Sequence, residues 1–205
     1  MSVEAAPLPE GTVTVLSTDL VGSTLLNQRL GDEAATAVER ELAALAQEQV
    51  DKQRGVVVKD TGDGLMVAFQ SARRAVVCAQ EIQRAIARRN RSRPDSAVQL
   101  RVGLHTGEVL NEAGGLHGET LIIAKRIETV APAGGILASG TLHGVLGTAR
   151  GELVDRGEFT LKGIDAPWRL WDVPWADAET AGVLSGSWRE SGSSRRSAWI
   201  RPTTW

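Results

Sequence analysis

The 205-residue sequence has no tyrosine, two phenylalanines, two methionines and one cysteine, Cys78. A single cysteine rules out an intramolecular disulfide, which fits a reducing, cytoplasmic setting. The three histidines, His105, His117 and His143, have no metal-ligand spacing with one another or with Cys78, which argues against a zinc site. No run of about 18 apolar residues occurs, so no segment is expected to span a membrane. The opening MSVEAAPLPEG has no basic region followed by an apolar stretch, so it does not read as a signal peptide. Charge of one sign is not in excess either, since the formal net charge is −2. So weak a field does not favour nucleic acid or acidic lipid. The arginine series Arg73, Arg74, Arg84, Arg88, Arg89, Arg91 and Arg93 could touch nucleic acid, but it reads more simply as the solvated face of a helix, and no nucleic-acid partner is expected. The phosphate-loop pattern GxxxxGK[ST] is missing as well.

What is present suits one domain with a real core: 42% of the residues are hydrophobic. Residues 1–10 form a lead-in with two prolines, 11–175 a folded domain, and 176–205 a Ser-, Gly- and Arg-rich stretch without period, expected to be a flexible tail. Thr12 to Leu16 suits a buried strand. Ala35, Val38, Leu42 and Leu45 predict a helix to about Val50, with Asp32 as its N-cap. VVVKDTGDGLMVAF, residues 56 to 69, has the pattern of a β-hairpin. Ser71 caps a helix whose apolar face is Ala75, Cys78, Ala79, Ile82 and Ile86, and Pro94 stops it. Val98 to Leu104 alternates as a strand that the next five residues continue or bulge. Asn111 to Gly115 reads as a turn, Glu119 to Val130 as a helix and Gly135 to Ala138 as a strand, with Ser139 capping a short helix. Glu152 to Leu161 and Trp168 to Val173 make a closing strand pair. Trp168 and Trp171, three residues apart in a strand, point to opposite faces, and one of them is expected in the core. This order predicts an α+β fold: a ferredoxin-like sandwich with helices packed on a mixed or antiparallel sheet.

Two aspartates carry the chemical interest. Asp19 sits where the first strand ends, before Gly22, Ser23 and Thr24, which open helical sequence. Backbone N–H groups at such a place can form an anion nest. Asp63 precedes Gly64 at the hairpin turn, where Gly64 is expected to supply the bend. Alone, each aspartate reads as a turn or cap residue. If the first strand lies beside the hairpin, the two carboxylates converge and repel one another unless a cation intervenes. Only oxygen ligands are on offer, which suits Mg2+ or Mn2+.

STDLVGST, VVKDTGDGLMVAF, RVGLHTGEV, a GxxxxxAxRI segment and a late LKG, in that order, resemble the class III nucleotidyl cyclase catalytic domain of bacterial type, over roughly residues 10–175. The resemblance implies a head-to-tail homodimer with active sites at the interface. It implies cyclisation of a nucleoside triphosphate, usually ATP, to the 3′,5′-cyclic monophosphate with release of pyrophosphate, as a second messenger. It assigns two metal ions per site to Asp19 and Asp63, with the Leu20 carbonyl completing one, and phosphate to the backbone of Val21, Gly22, Ser23 and Thr24. Lys59 falls where the family reads adenine, Arg126 where it stabilises charge on the α-phosphate, and Lys162 where a lysine meets the β- and γ-phosphates. His105 lies in the GLHTGE segment and is expected to be structural.

Two positions depart from the family. Four residues before Arg126, the ribose-orienting asparagine is replaced by Ile122, which can neither donate nor accept. Seven residues further back, the second base-reading position is Gly115. Asn111, Glu112, His117 and Glu119 are nearby polar substitutes. A lost positioning group lowers rate without removing metals, and a lost base reader weakens discrimination. The expectation is a cyclase of modest activity, with ATP favoured by Lys59 and GTP or a pyrimidine triphosphate open. The alternative is a weak or inactive cyclase-like module that binds nucleotide and regulates.

Overall fold

The computed structural model describes residues 10–112, 115–150 and 152–176. The lead-in before Glu10 and the tail after Ala176 lie outside the described residues. In chain order the elements are β1 (Gly11–Leu20), α1 (Ser23–Leu30), α2 (Asp32–Lys52), β2 (Val56–Asp60), β3 (Leu65–Phe69), α3 (Ala72–Ser92), β4 (Leu100–Glu112), β5 (Gly115–His117), α4 (Glu119–Val130), β6 (Ile136–Ser139), α5 (Gly140–Leu146), β7 (Val154–Phe159) and β8 (Trp168–Asp172). The sheet runs β2-β3-β1-β4-β6-β8-β7, with β5 paired to the far end of β4. β6 runs parallel to β4, and the other pairings are antiparallel. From β1 to β4 the chain is βαββαβ with spatial order β2-β3-β1-β4, the ferredoxin-like arrangement the sequence predicts.

β1 is central, so both its faces are buried. Leu16 and Leu20 join a core built from α1, α2, α3 and α5. Val13 and Val15 pack on the other face with Ala124 of α4. The sheet therefore lies between two helical layers, and α4 is the helix of the second one. α4 sits very close to β4: a Cβ added to Gly103 would lie 2.3 Å from the Glu128 nitrogen and 2.4 Å from the Ala124 carbonyl oxygen.

Several boundaries differ from the sequence reading. β1 extends four residues past Leu16, because the polar Ser17, Thr18 and Asp19, together with Leu20, still pair with β4. Gly31, not Asp32, is the N-cap of α2, and Asp32 is its first helical residue, where a carboxylate still favours the helix dipole. Asn111 and Glu112 belong to β4 and pair with β5 instead of forming a turn. Ser71 does cap α3, accepting from the Arg74 N–H, and Ser139 caps α5, accepting from the Leu142 N–H. Each such cap is worth about 1 kcal/mol.

The polar residues of α3 divide. Arg89, expected on the solvated face, is buried. Its Nε donates to Glu41 of α2 at 3.1 Å, and Arg93 donates to the same carboxylate at 2.7 Å. Arg84 pairs with Glu81 at 2.7 Å. Part of the arginine series is thus committed to ion pairs within the chain. Cys78 is buried in the same helix, and desolvation pushes its thiol up to about 12.

Trp168 and Trp171 lie on opposite faces, as the strand period requires. Trp168 meets the edge of His105 with ring centroids 5.3 Å apart, and Trp171 stacks on His143 at 4.6 Å. Both are half-buried. Among the described residues the buried tryptophan is Trp175, whose Nε1 donates to the Gly134 carbonyl at 2.9 Å. His105 itself is buried, with Nδ1 2.9 Å from the Ser139 hydroxyl oxygen, and burial pulls its pKa down to about 4. The unfolded chain takes up a proton at this residue near pH 6.5, and the folded chain does so only near 4. Stability is therefore full above 6.5 and lost as the pH falls toward 4, by about 2–3 kcal/mol at this one group. Urea unfolding at pH 7 and pH 4.5 should show that difference, and His105→Gln should flatten it.

Candidate active site

The polar tip of the hairpin is built to dock on the end of β1. The Asp60 carboxylate accepts from the Gly62 N–H at 2.8 Å, and the Thr61 N–H donates to the Gly64 carbonyl at 2.9 Å. Gly62, with φ 84°, carries the left-handed conformation, not Gly64 as the sequence suggested. Gly64 has a different task. A Cβ there would lie 2.0 Å from the Thr18 carbonyl oxygen, so only glycine lets the turn reach β1. The approach is sealed by the Leu20 N–H donating to the Asp63 carbonyl at 2.9 Å and the Leu65 N–H donating to the Thr18 hydroxyl at 2.9 Å. Asp19 and Asp63, 44 positions apart in the chain, are thereby brought to one end of adjacent strands.

Beyond Asp19 the chain turns through Gly22, whose φ of 69° and ψ of 37° are left-handed, into the first turn of α1. The Val21 N–H already donates to the Gln99 carbonyl at 2.9 Å. It therefore leaves the expected phosphate cradle, which narrows to Gly22, Ser23 and Thr24. No acidic residue stands in the first turn of α1 to compete with an anion.

The donor set fits a hard cation. The carboxylates of Asp19 and Asp63 and the Leu20 carbonyl are all oxygen. No group of three or more His, Cys, Asp or Glu residues able to hold a metal occurs among the described residues. An ion held by two carboxylates and completed by water and phosphate oxygens matches the habit of Mg2+.

Lys59 is exposed on β2, at one edge of the sheet, and Lys162 is exposed in the β7–β8 connection, at the other. Six strand intervals separate those edges, on the order of 29 Å. Arg126 lies on α4, and its Nε is buried with no hydrogen-bond partner. Ile122, one turn earlier on the same helix face, is 55% exposed. Gly115 opens β5, and nothing lies within 4 Å of the Cβ position there. Asn111, Glu112, His117 and Glu119 are all exposed.

Three residues escaped the sequence reading. Arg101 stands directly across β1–β4 from Asp19, and its Nε is also buried without a hydrogen-bond partner. Lys125, beside Arg126, places its Nζ 3.1 Å from Asp19 Oδ1 and 2.6 Å from Glu128 Oε2. Glu128 is 1% exposed and also accepts from the Ser17 hydroxyl at 2.9 Å. Burial works against the Lys125 ammonium, but the hydrogen bonds and charges of Glu128 and Asp19 outweigh it and hold its pKa above the ordinary lysine value. The β1–β4 register was the signal needed for Arg101. Nothing in the sequence pointed from Lys125 to Asp19.

The model of the adenylate and guanylate cyclase catalytic domain matches residues 6–171. A putative adenylate cyclase 3 of Rhizobium meliloti is 35% identical over 82% of this chain and 28% of its own length. An uncharacterized protein of Mycobacterium tuberculosis is 33% identical over 78% of this chain and 54% of its own. The chain thus spans between about a quarter and about half of these curated relatives. The adenylyl cyclase CyaB from P. aeruginosa shares the fold, with a TM-score of 0.72 at 23% identity over 83% of this chain and 97% of that one. The guanylyl cyclase Cya2 superposes with a TM-score of 0.70 at 25% identity, over 83% and 96%. No helix among the described residues is long and apolar enough to cross a membrane. Matched over residues 6–171, the chain belongs to the adenylate and guanylate cyclase catalytic domain family.

Proposed function

We propose that the chain cyclises a nucleoside triphosphate, ATP by preference, to the 3′,5′-cyclic monophosphate and pyrophosphate, at a site shared by two copies packed head to tail. The observation that carries this reading is the docking of the Asp63 turn on the end of β1, held by the Leu20 N–H at 2.9 Å from the Asp63 carbonyl. It brings Asp19, Asp63 and the Gly22 turn to one end of the sheet, which supports the reading. Two Mg2+ or Mn2+ ions bound to Asp19, Asp63 and the Leu20 carbonyl would make the ribose 3′-hydroxyl a better nucleophile and neutralise the phosphates. The chain's own groups do the rest. The N–H groups of Gly22, Ser23 and Thr24 receive phosphate oxygens at the start of α1. Arg126 and Arg101, each with a buried unpaired Nε, supply donors to phosphoryl oxygens as charge develops there. Lys59 donates to an acceptor nitrogen of the base, which supports ATP. Lys162 meets the terminal phosphates.

Lys59 and Lys162 stand at opposite edges of the sheet. Two chains packed head to tail set one edge against the other, which lets one nucleotide meet both. The test is complementation. Asp63→Ala and Arg126→Ala chains should each be inactive with all four triphosphates and Mn2+. With Arg126 of one chain serving the Asp63 site of its partner, an equal mixture should recover about a quarter of wild-type turnover, because half the dimers are mixed and each has one intact site. Product formation is followed by chromatography. No recovery, from chains shown to exchange partners, refutes the shared site.

Ile122 and Gly115 favour a second reading, in which the chain turns over slowly or only binds nucleotide and regulates. Wild-type protein that makes no cyclic nucleotide at high concentration, yet binds ATP with Mn2+, would establish it.

A further inference from the structure

We propose that Lys125 is a built-in counter-ion that holds Asp19 in the metal-free protein and competes with the divalent cation for it. The inference rests on the reading of Asp19 as a metal ligand. Lys125 Nζ lies 3.1 Å from Asp19 Oδ1 and 2.6 Å from Glu128 Oε2, so one ammonium bridges two carboxylates. The bridge is positioned by the fold. Glu128 is 1% exposed and tied to Ser17 at 2.9 Å, and α4 is pressed onto Gly103 of β4 at the level of Glu128. The ammonium therefore stands where a cation on Asp19 would feel it. A second positive charge, Arg101, faces Asp19 across the β1–β4 ladder.

Like charges a few ångströms apart repel strongly outside bulk water, so the cation binds Asp19 only if the ammonium withdraws. The structure offers it somewhere to go. Glu128 lies nearer to it than Asp19 does, and it keeps the ammonium paired once Asp19 turns to a metal. Metal affinity is then set by an exchange of partners: the cation gains Asp19, and Lys125 falls back on Glu128. Substitutions at the two ends of the bridge should act in opposite directions. Removing the ammonium frees Asp19. Neutralising Glu128 leaves Asp19 as the ammonium's remaining anion and tightens its hold.

The experiment is a titration of the full chain with Mn2+ alone, with free Mn2+ read from its paramagnetic resonance signal. Lys125→Met is expected to bind Mn2+ at least about tenfold more tightly than wild type. Glu128→Gln is expected to bind about threefold or more weakly, and Lys125→Arg, which keeps the charge, to remain within about twofold. Asp63→Asn serves as the control for the metal reading. Lys125→Met that binds no more tightly than wild type, while Asp63→Asn loses binding, overturns the counter-ion proposal and leaves the metal site standing. Mn2+ binding that is indifferent to Asp63→Asn, or absent from every variant, overturns the metal reading and the proposal with it. Lys125 is partly exposed, so Lys125→Met should fold. If its circular dichroism differs from wild type, Lys125→Ala makes the same comparison.

Discussion

Asp63→Ala is expected to leave a folded protein that forms cyclic nucleotide about a thousandfold more slowly than wild type, if at all. The two halves of that expectation rest on different atoms of the same residue. Main-chain groups hold the turn: the Asp63 carbonyl receives the Leu20 N–H of β1, and within the turn the Gly64 carbonyl receives the Thr61 N–H. Alanine keeps both. The carboxylate's own contribution to the fold is one hydrogen bond from the Thr61 hydroxyl, at 2.9 Å and exposed, worth about 1 kcal/mol or less. As a metal ligand in the proposed reaction, it would contribute more to turnover. Removing a ligand from a metal that stabilises charge in the transition state costs several kcal/mol, and a thousandfold is about 4 kcal/mol. Thermal unfolding should shift by a few degrees at most, while turnover collapses. Activity that survives the substitution removes Asp63 from the metal site. A large loss of stability would mean instead that the carboxylate, not the main chain, holds the turn.

What could be read from the sequence follows from the range of the forces involved. Local chemistry was legible. Ser71 and Ser139 announce helices because a cap acts over three residues. The limits of α4 fall where Gly118 and the approach of Pro132 place them. The hairpin was legible from two apolar runs flanking a tight polar centre, and its pairing with β1 was conditional on topology that the pattern made reasonable. Long-range polar contacts were not legible. Lys125 and Asp19 are 106 residues apart, and Arg89 and Glu41 are 48 apart. In both cases a charged helical residue looks like solvated surface until its partner's element is placed. The glycine assignment in the turn failed for a related reason. Gly62 and Gly64 are both permissive in sequence, and only the closeness of the Thr18 carbonyl separates the residue that bends from the residue that must lack a side chain. The C-terminal end of β1 failed too, because Ser17, Thr18 and Asp19 owe their strand conformation to pairing with β4 and not to their own apolarity.

Ile122→Asn is expected to raise turnover by about tenfold or more, the second large effect at this site. The isoleucine lies one helical turn before Arg126, on the face that carries the unpaired Nε. It is 55% exposed, so the exchange removes little burial, and its cost to the single chain should stay within about 0.5 kcal/mol. Under the proposed assignment isoleucine would offer the ribose no hydrogen bond, leaving the sugar free to rotate about the phosphate that Arg126 and the Gly22 turn would hold. Restoring an amide at this position fixes that rotation. Positioning is worth up to two orders of magnitude where a reacting atom is misplaced by about 1 Å. The gain should appear in kcat more than in KM, because an orienting contact that matures in the transition state lowers the barrier without tightening ground-state binding equally. Steady-state kinetics with ATP and with GTP make the comparison. A rise in kcat with both nucleotides assigns Ile122 to the ribose, since both share that sugar. A rise with one alone would assign the position to base recognition. A fall in kcat with both would mean that the apolar side chain itself is needed, as part of the surface on which the second copy of the chain packs.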